Sequence, residues 1–356
     1  MISHMRKVVF LMVAMALFMA CGRPSDPLPR GDASAQLQAA FDEYLKAVAD
    51  SAEDLHGVMV LQHGLVLAEK QMAPDTAHIM NSVSKTFTST AVGFAVSEGL
   101  LKLEDRLVDL FPESVPDEPQ DRLREITIRH LLTMNSGHGK DPTYSVRSGE
   151  GDWVRAFMEW PIDYEPGTCF CYNSLGSYVL SAAVQKVTGQ KVVDYLDERL
   201  WQPLGIEKPF WQESPAGINT GGWGLYLHTE DLARMGLCLL HGGQFCGKQV
   251  IPAHWVAQMS ANQVPSVGAG LNEQQMKEIL AVHPELPFFL PETSDWVQGY
   301  GYQMWRCRHN AFRADGANGQ YILVIPDKDA VIVTTAHIPN MQQELNLIWD
   351  HLLPAL

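Results

Sequence analysis

From Ala35 onward, Leu37, Phe41, Tyr44, Leu45 and Val48 recur at three- and four-residue intervals. That spacing marks one face of a helix, with Asp32 or Ser34 placed to cap it. Val58-Met59-Val60-Leu61 and Leu65-Val66-Leu67 flank His63-Gly64, which predicts a β-hairpin. Residues 82–98 form a mostly apolar helical stretch that stops at Gly99. Thr127 heads another helix with Ile128, Leu131 and Leu132 inward, ending at Ser136-Gly137. Residues 178–187 make a further helix closed by Thr188-Gly189, and residues 231–240 one more. Residues 262–295 carry Pro265, Pro284, Pro287 and Pro291 and read as a long irregular rim or lid. Strands return at 300–306, 320–325 and 330–335, and a last helix sets Met341, Leu345, Ile348 and Leu352 on one face.

The terminal strands are joined by short connections, so the sheet should be largely antiparallel. The middle third is nearly all helical. The fold class is therefore α/β: an antiparallel sheet flanked by helices, with an inserted all-helical domain. Residues 35–110 and 216–356 combine as the sheet domain, and 111–215 form the insertion.

Composition narrows the partners. The chain has 356 residues, 46% hydrophobic, with 26 basic against 41 acidic side chains and a formal charge of −15. An acidic balance leaves no cationic footprint for nucleic acid or for an anionic membrane surface. Arg6-Lys7 followed by an uncharged apolar run to Ala20 reads as a secretory signal over residues 1–20, too short for a bilayer span. Leu17-Phe18-Met19-Ala20-Cys21 resembles a bacterial lipobox, with Phe18 where Leu is usual. Cys21 is then the lipidation site, residues 21–34 the tether, and the location the periplasm or cell envelope. The lipid is the expected membrane contact. Five cysteines remain after Cys21, so at least one thiol is free or pairs between chains.

Ser82-Val83-Ser84-Lys85 opens an apolar helix. Residues three apart share a helix face, so Ser82 and Lys85 are neighbours. A serine hydroxyl becomes nucleophilic when a base removes its proton, and burial lowers a lysine's pKa enough for it to serve. The helix N-terminus adds N–H groups beside a developing oxyanion. A capping serine beside a solvated lysine would give the same string, so the string alone is weak. No H-E-x-x-H, Walker or G-x-S-x-G string occurs. Cys238, His241 and Cys246 make a poor zinc set beside the simpler readings as a two-Cys disulfide or a plain loop.

More stretches occur in order: Ile126-Thr127-Ile128-Arg129-His130-Leu131-Leu132-Thr133-Met134-Asn135-Ser136-Gly137-His138, Glu165-Pro166-Gly167 leading to Tyr172-Asn173-Ser174, Gly221-Gly222-Trp223-Gly224-Leu225, and Gly316-Ala317-Asn318-Gly319-Gln320. Together they resemble the serine β-lactamase and penicillin-binding-protein superfamily. The match is closest to the class C β-lactamase-related group, with its family VIII-type esterases and nylon-oligomer amidases. The resemblance implies a β-lactamase-like fold, Ser82 as nucleophile, Lys85 as its proton partner and Tyr172 as the tyrosine of the Y-x-N motif. It implies no metal and no cofactor. A phenol beside an ammonium should have a lowered pKa and shuttle a proton.

The chain departs from the pattern at two places. Ser174 stands where the motif has Asn. In the third motif, K-T-G or H-x-G, the best register is Ala314-Asp315-Gly316-Ala317, so Ala314 replaces the cation. Gly316 would allow close substrate approach, and the Ala317 N–H would join the Ser82 N–H as oxyanion hole. Ser174, Asp315, Gly316 and Trp223 are the candidate substrate contacts, with Arg306, Arg308 or Arg313 as a replacement cation. The expected function is an exported serine hydrolase acting on a small ester, amide or short peptide. A β-lactamase or D,D-peptidase, and a non-catalytic peptidoglycan-binding lipoprotein, are the alternatives.

Overall fold

The computed structural model describes residues 26–51, 53–74, 76–268 and 271–356. The expected signal over 1–20 and the lipidation site Cys21 lie outside the described residues.

Helix α1 (Ala35–Asp50) buries Leu37, Phe41, Tyr44 and Val48, and Ser34 caps it by accepting from Leu37 N. Strands β1 (Asp54–Gln62) and β2 (Leu65–Gln71) follow, joined through His63 and Gly64. Both turn residues have positive φ, 52° and 78°, as a two-residue hairpin of matching twist requires. The segment expected as a tether packs on this hairpin from residue 28. Leu28 is buried, its N–H donates to Glu230, and Arg30 pairs with Glu69 and Glu230. One buried apolar side chain and two ion pairs hold down a stretch whose composition suggests a free linker.

Helix α2 (Ser84–Ser97) is buried on every side from Ser84 to Ala95 and runs through the centre of the molecule. Short helices occupy the middle of the chain, among them α3 (Ile128–Leu132), capped by Thr127 with His130 reciprocating. Helix α4 (Ser174–Thr188) packs against α2. It begins four residues before the expected start because Asn173 caps it, accepting from Gly176 N at 3.0 Å. Helix α5 (Thr229–Leu240) also starts early, since Asp231 accepts from His228 N across the first turn instead of heading the helix.

The expected irregular rim at 262–295 contains helix α6 (Glu273–Val282), set by a reciprocal cap between Asn272 and Gln275, with no buried residue. The expected strand at 300–306 shrinks to β3 (Trp305–Arg306). Gln303 breaks it: its φ is 63°, and its side-chain amide donates to the carbonyls of Leu131 and Leu132. Strands β4 (Phe312–Gly316), β5 (Gln320–Ile325) and β6 (Ala330–His337) complete the sheet. Helix α7 (Met341–Leu347) and the wider turn Ile348–Leu352 end the chain.

The six strands lie in the order β2-β1-β6-β5-β4-β3, and every pairing is antiparallel. Helices cover both faces, which is why β5 and β6 read as continuous apolar runs instead of alternating. Tyr321, Leu323 and Ile325 face α1 and the C-terminal helix, in one core. Ile322, Val324, Val331 and Val333 join α2 and α5 in the other. Gly236 of α5 lies so close to the sheet that a Cβ there would stand 2.5 Å from Val331. No helix among the described residues is long and apolar enough to cross a membrane.

Candidate active site

Ser82 sits in the tight turn Asn81–Val83 that feeds α2. Met80, just before it, is buried and donates its N–H to Leu225 O at 2.8 Å. Ser84 donates its hydroxyl to Asn81 O at 2.6 Å and accepts from Leu225 N at 3.2 Å. The turn is thus tied to the 221–225 segment on one side and to α2 on the other.

Lys85 follows one helical turn later and is 1% exposed. Its Nζ donates to Ser82 Oγ at 2.9 Å, Ser174 Oγ at 3.1 Å and Gly222 O at 2.8 Å. Three acceptors match the three protons of an ammonium, so the charged form is tolerated. Burial still dominates and lowers the Lys85 pKa to about 7, against the opposing pull of Asp141 and Asp315. Near neutral pH this amine holds its proton only part of the time, and it can accept one from Ser82.

Tyr172 is carried by the stretch leading into α4. Cys171 N donates to Met134 O at 2.7 Å, and Ser174 N donates to Asp141 at 3.0 Å. The phenol is buried, with its ring stacked on Trp305 at 5.3 Å, and interacts with the Ser82 hydroxyl. Its pKa moves opposite to the sequence expectation. Burial pushes it well up, and Asp315 and Asp141 oppose the help from Ser82 and Arg313. Tyr172 is therefore a neutral phenol, and the group poised near neutrality is the lysine.

Gly316 ends β4 against the serine turn. A Cβ at this position would stand 2.4 Å from Met80 O, a distance no side chain accommodates. Ala317 follows, exposed, at the head of the turn to β5. No hydrogen bond from its N–H is formed among the described residues, while its carbonyl accepts from Asn81 Nδ2 at 2.7 Å. Ser82, Lys85, Tyr172, Ser174, Gly316 and Ala317 thus come together from three separate parts of the chain, with Gly222 O from a fourth.

A family model described as "Beta-lactamase" matches residues 38–354. The chain belongs to the β-lactamase family. The 6-aminohexanoate-dimer hydrolase of Paenarthrobacter ureafaciens is 27% identical over 339 residues, covering 89% of this chain and 80% of that one. Esterase EstB of Burkholderia gladioli is 30% identical over 200 residues, covering 49% of this chain and 50% of the esterase. Among solved structures, a penicillin-binding-protein homologue from Caulobacter crescentus superposes with a TM-score of 0.67 at 16% identity, covering 92% of this chain and 99% of that one.

Within this family of serine hydrolases, the third motif of the chain is altered, and the candidate replacement cations are each held by protein groups, Arg313 with its buried Nη2 left without a partner. Arg306 donates to Ser260 O and Asn310. Arg308 pairs with Asp295 at 2.9 Å. Arg313 is fully buried, pairs with Asp315 at 2.7 Å and lies over the Trp296 ring at 4.6 Å. The Asp315 carboxylate is thereby matched within the fold.

Trp223 is half-buried and stacks on Trp153 at 6.0 Å. What this β-lactamase-family segment brings to Lys85 is the carbonyl of its neighbour, Gly222. That carbonyl has no signature in the sequence beyond the Gly221-Gly222 pair. Asp141 and Asn81 were likewise not singled out from sequence. Asp141 lies in the Gly-Lys-Asp-Pro stretch after the second matching segment, and no spacing rule links it to Lys85. Cys169, Cys171, Cys238 and Cys307 are buried free thiols. Among the described residues no group of three or more His, Cys, Asp or Glu is arranged to hold a metal.

Proposed function

We propose that the protein hydrolyses an ester or amide through an acyl-Ser82 intermediate, with neutral Lys85 as the base. The observation that carries this reading is the Lys85 amine, buried and 2.9 Å from the Ser82 hydroxyl. Lys85 Nζ takes the Ser82 proton as Oγ bonds to the substrate carbonyl carbon. The oxygen that gains charge is received by the N–H groups of Ser82 and Ala317, where one such donor contributes about 10²–10³ in rate. The ammonium formed is stabilised by Ser174 Oγ and Gly222 O. Tyr172, a neutral phenol within the influence of the Ser82 hydroxyl, passes the proton on to the leaving alcohol or amine as the carbonyl–heteroatom bond breaks. Water then attacks the acyl carbon, gives up its proton along the same route, and releases the acid and free Ser82.

Ala314 in place of a cation, with all three nearby arginines engaged, supports a substrate without the carboxylate that β-lactams and D-alanyl peptides carry. Export and lipidation at Cys21 belong to the same reading, on the strength of Arg6-Lys7, the apolar run and the lipobox-like string.

The test is fluorophosphonate labelling followed by mass spectrometry of the wild type and Ser82→Ala. An adduct on Ser82 that the variant lacks is expected, together with faster turnover of p-nitrophenyl esters than of nitrocefin. An unlabelled wild type would leave the fold as a binding module, and nitrocefin turnover matching the esters would return it to β-lactam chemistry.

A further inference from the structure

Asn81 touches both sides of the gap where the oxyanion is received. Its own φ is 44°, a left-handed conformation that Asn tolerates better than most side chains. Its carbonyl shares a rigid peptide plane with the Ser82 N–H and points the opposite way. That carbonyl is gripped by the Ser84 N–H and by the Ser84 hydroxyl at 2.6 Å. Fixing the carbonyl fixes the direction of the Ser82 N–H. The Asn81 side chain meanwhile reaches across to Ala317, donating from Nδ2 to its carbonyl at 2.7 Å. The spacing at the base of the gap is set by Gly316 lying on Met80 O. At the open end this amide spans the same two segments.

We propose that Asn81 is a positioning residue: by clipping the nucleophile turn to the end of β4, it sets the separation and aim of the Ser82 and Ala317 N–H groups. The proposal rests on the reading of Ser82 as nucleophile. Ala317 is exposed and its turn is made of residues with positive φ, Asn318 at 67° and Gly319 at 85°. The clip therefore restrains the donor on the less anchored side. A donor displaced by a few tenths of an ångström binds a planar carbonyl nearly as well and a tetrahedral oxyanion worse, so the effect falls on the transition state.

Asn81→Gly removes the clip while keeping the left-handed backbone accessible. Asn81→Asp keeps the shape but turns an acceptor toward the Ala317 carbonyl. Both are compared with wild type and Ser82→Ala on a p-nitrophenyl ester, with thermal melting and with phenylboronic acid as a tetrahedral mimic. The expected result is a kcat about 10- to 100-fold lower for Gly and lower still for Asp. KM should stay within about twofold, and boronate affinity should fall in step with kcat/KM. Unchanged kcat in both variants overturns the proposal, as does a loss confined to KM or melting temperature with boronate affinity intact. If Ser82→Ala still turns over the ester, the nucleophile assignment fails and the clip fails with it. If Ser82→Ala is dead while both Asn81 variants are fully active, only the clip is wrong.

Discussion

Lys85 Nζ lies 4.8 Å from the centre of the Tyr172 ring, over its face. A ring face favours the ammonium modestly, and burial keeps the phenol's pKa raised all the same. The division of labour follows: the amine titrates near neutrality and the phenol stays protonated. With Lys85 at about 7 in the free protein, kcat/KM for a neutral ester should fall below an apparent pKa near 7, because the ammonium cannot take the Ser82 proton. Lys85→Ala should lose about a thousandfold in kcat and this acid limb with it. A pH–rate profile flat from pH 5 to 8 would assign the base elsewhere.

Ser174 supplies one of the three acceptors around Lys85. Ser174→Ala removes a partner that favours the charged amine, so the lysine pKa should move down and the acid limb of kcat/KM should shift to lower pH. The plateau rate should drop about tenfold, the cost of a less well-oriented base. Profiles of the two proteins on one ester measure both effects, and superimposable curves would remove Ser174 from the proton path.

Tyr172→Phe deletes only the hydroxyl. The stack on Trp305 and the edge contact with Tyr300 at 6.2 Å are kept by a phenylalanine ring. We expect kcat/KM to fall about 100-fold with little change in melting temperature. Amides should suffer more than activated esters, since an amine leaving group needs the proton and p-nitrophenolate does not. Equal losses on both substrates would argue against proton delivery by this phenol.

Glu344 is fully buried, and neither carboxyl oxygen has a full hydrogen-bond partner. The Thr334 hydroxyl facing it donates to Gly319 O at 2.8 Å. Burial raises the Glu344 pKa well above the ordinary carboxylate range, reinforced by Glu53 and Asp315. The folded state then favours the protonated acid. Stability from this group is complete below the unfolded-state pKa and is lost as pH rises towards the folded value. Wild type should lose urea resistance between pH 5 and 8, and Glu344→Gln should flatten that decline and gain about 1–3 kcal/mol at pH 8. Parallel pH dependences would mean that the Glu344 carboxyl titrates alike in the folded and unfolded protein, against the raised pKa.

Much of this was legible in the sequence for definable reasons. The face of α1 and the two strands β5 and β6 declare themselves because burial imposes a period or a continuous run. Ser82 and Lys85 declare themselves because a three-residue spacing on a helix is a distance. The strand expected through Gln303 failed because one left-handed residue, plugged into two helix-end carbonyls, costs the ladder its continuity. Helix α6 is hidden by the prolines around it, and its signal is a single Asn272–Gln275 cap. The Tyr172 ring lies beside Lys85, but the direction of its pKa is not legible in the sequence, because desolvation belongs to the packed interior. Gly222 O and the Asn81 amide are contacts between stretches far apart in the chain, and no local pattern encodes them.

The sheet joins β1 to β6 along its length, from Asp54 against His337 to Gln62 against Ala330. A ribosome therefore extrudes the reactive alcohol long before the strand that must flank it. Until Ala317 emerges, the nascent polypeptide carries Ser82 and Lys85 without it, and so without the proposed receptacle for negative charge. The receptacle is assembled only in a polypeptide whose first hairpin and late strands share one sheet.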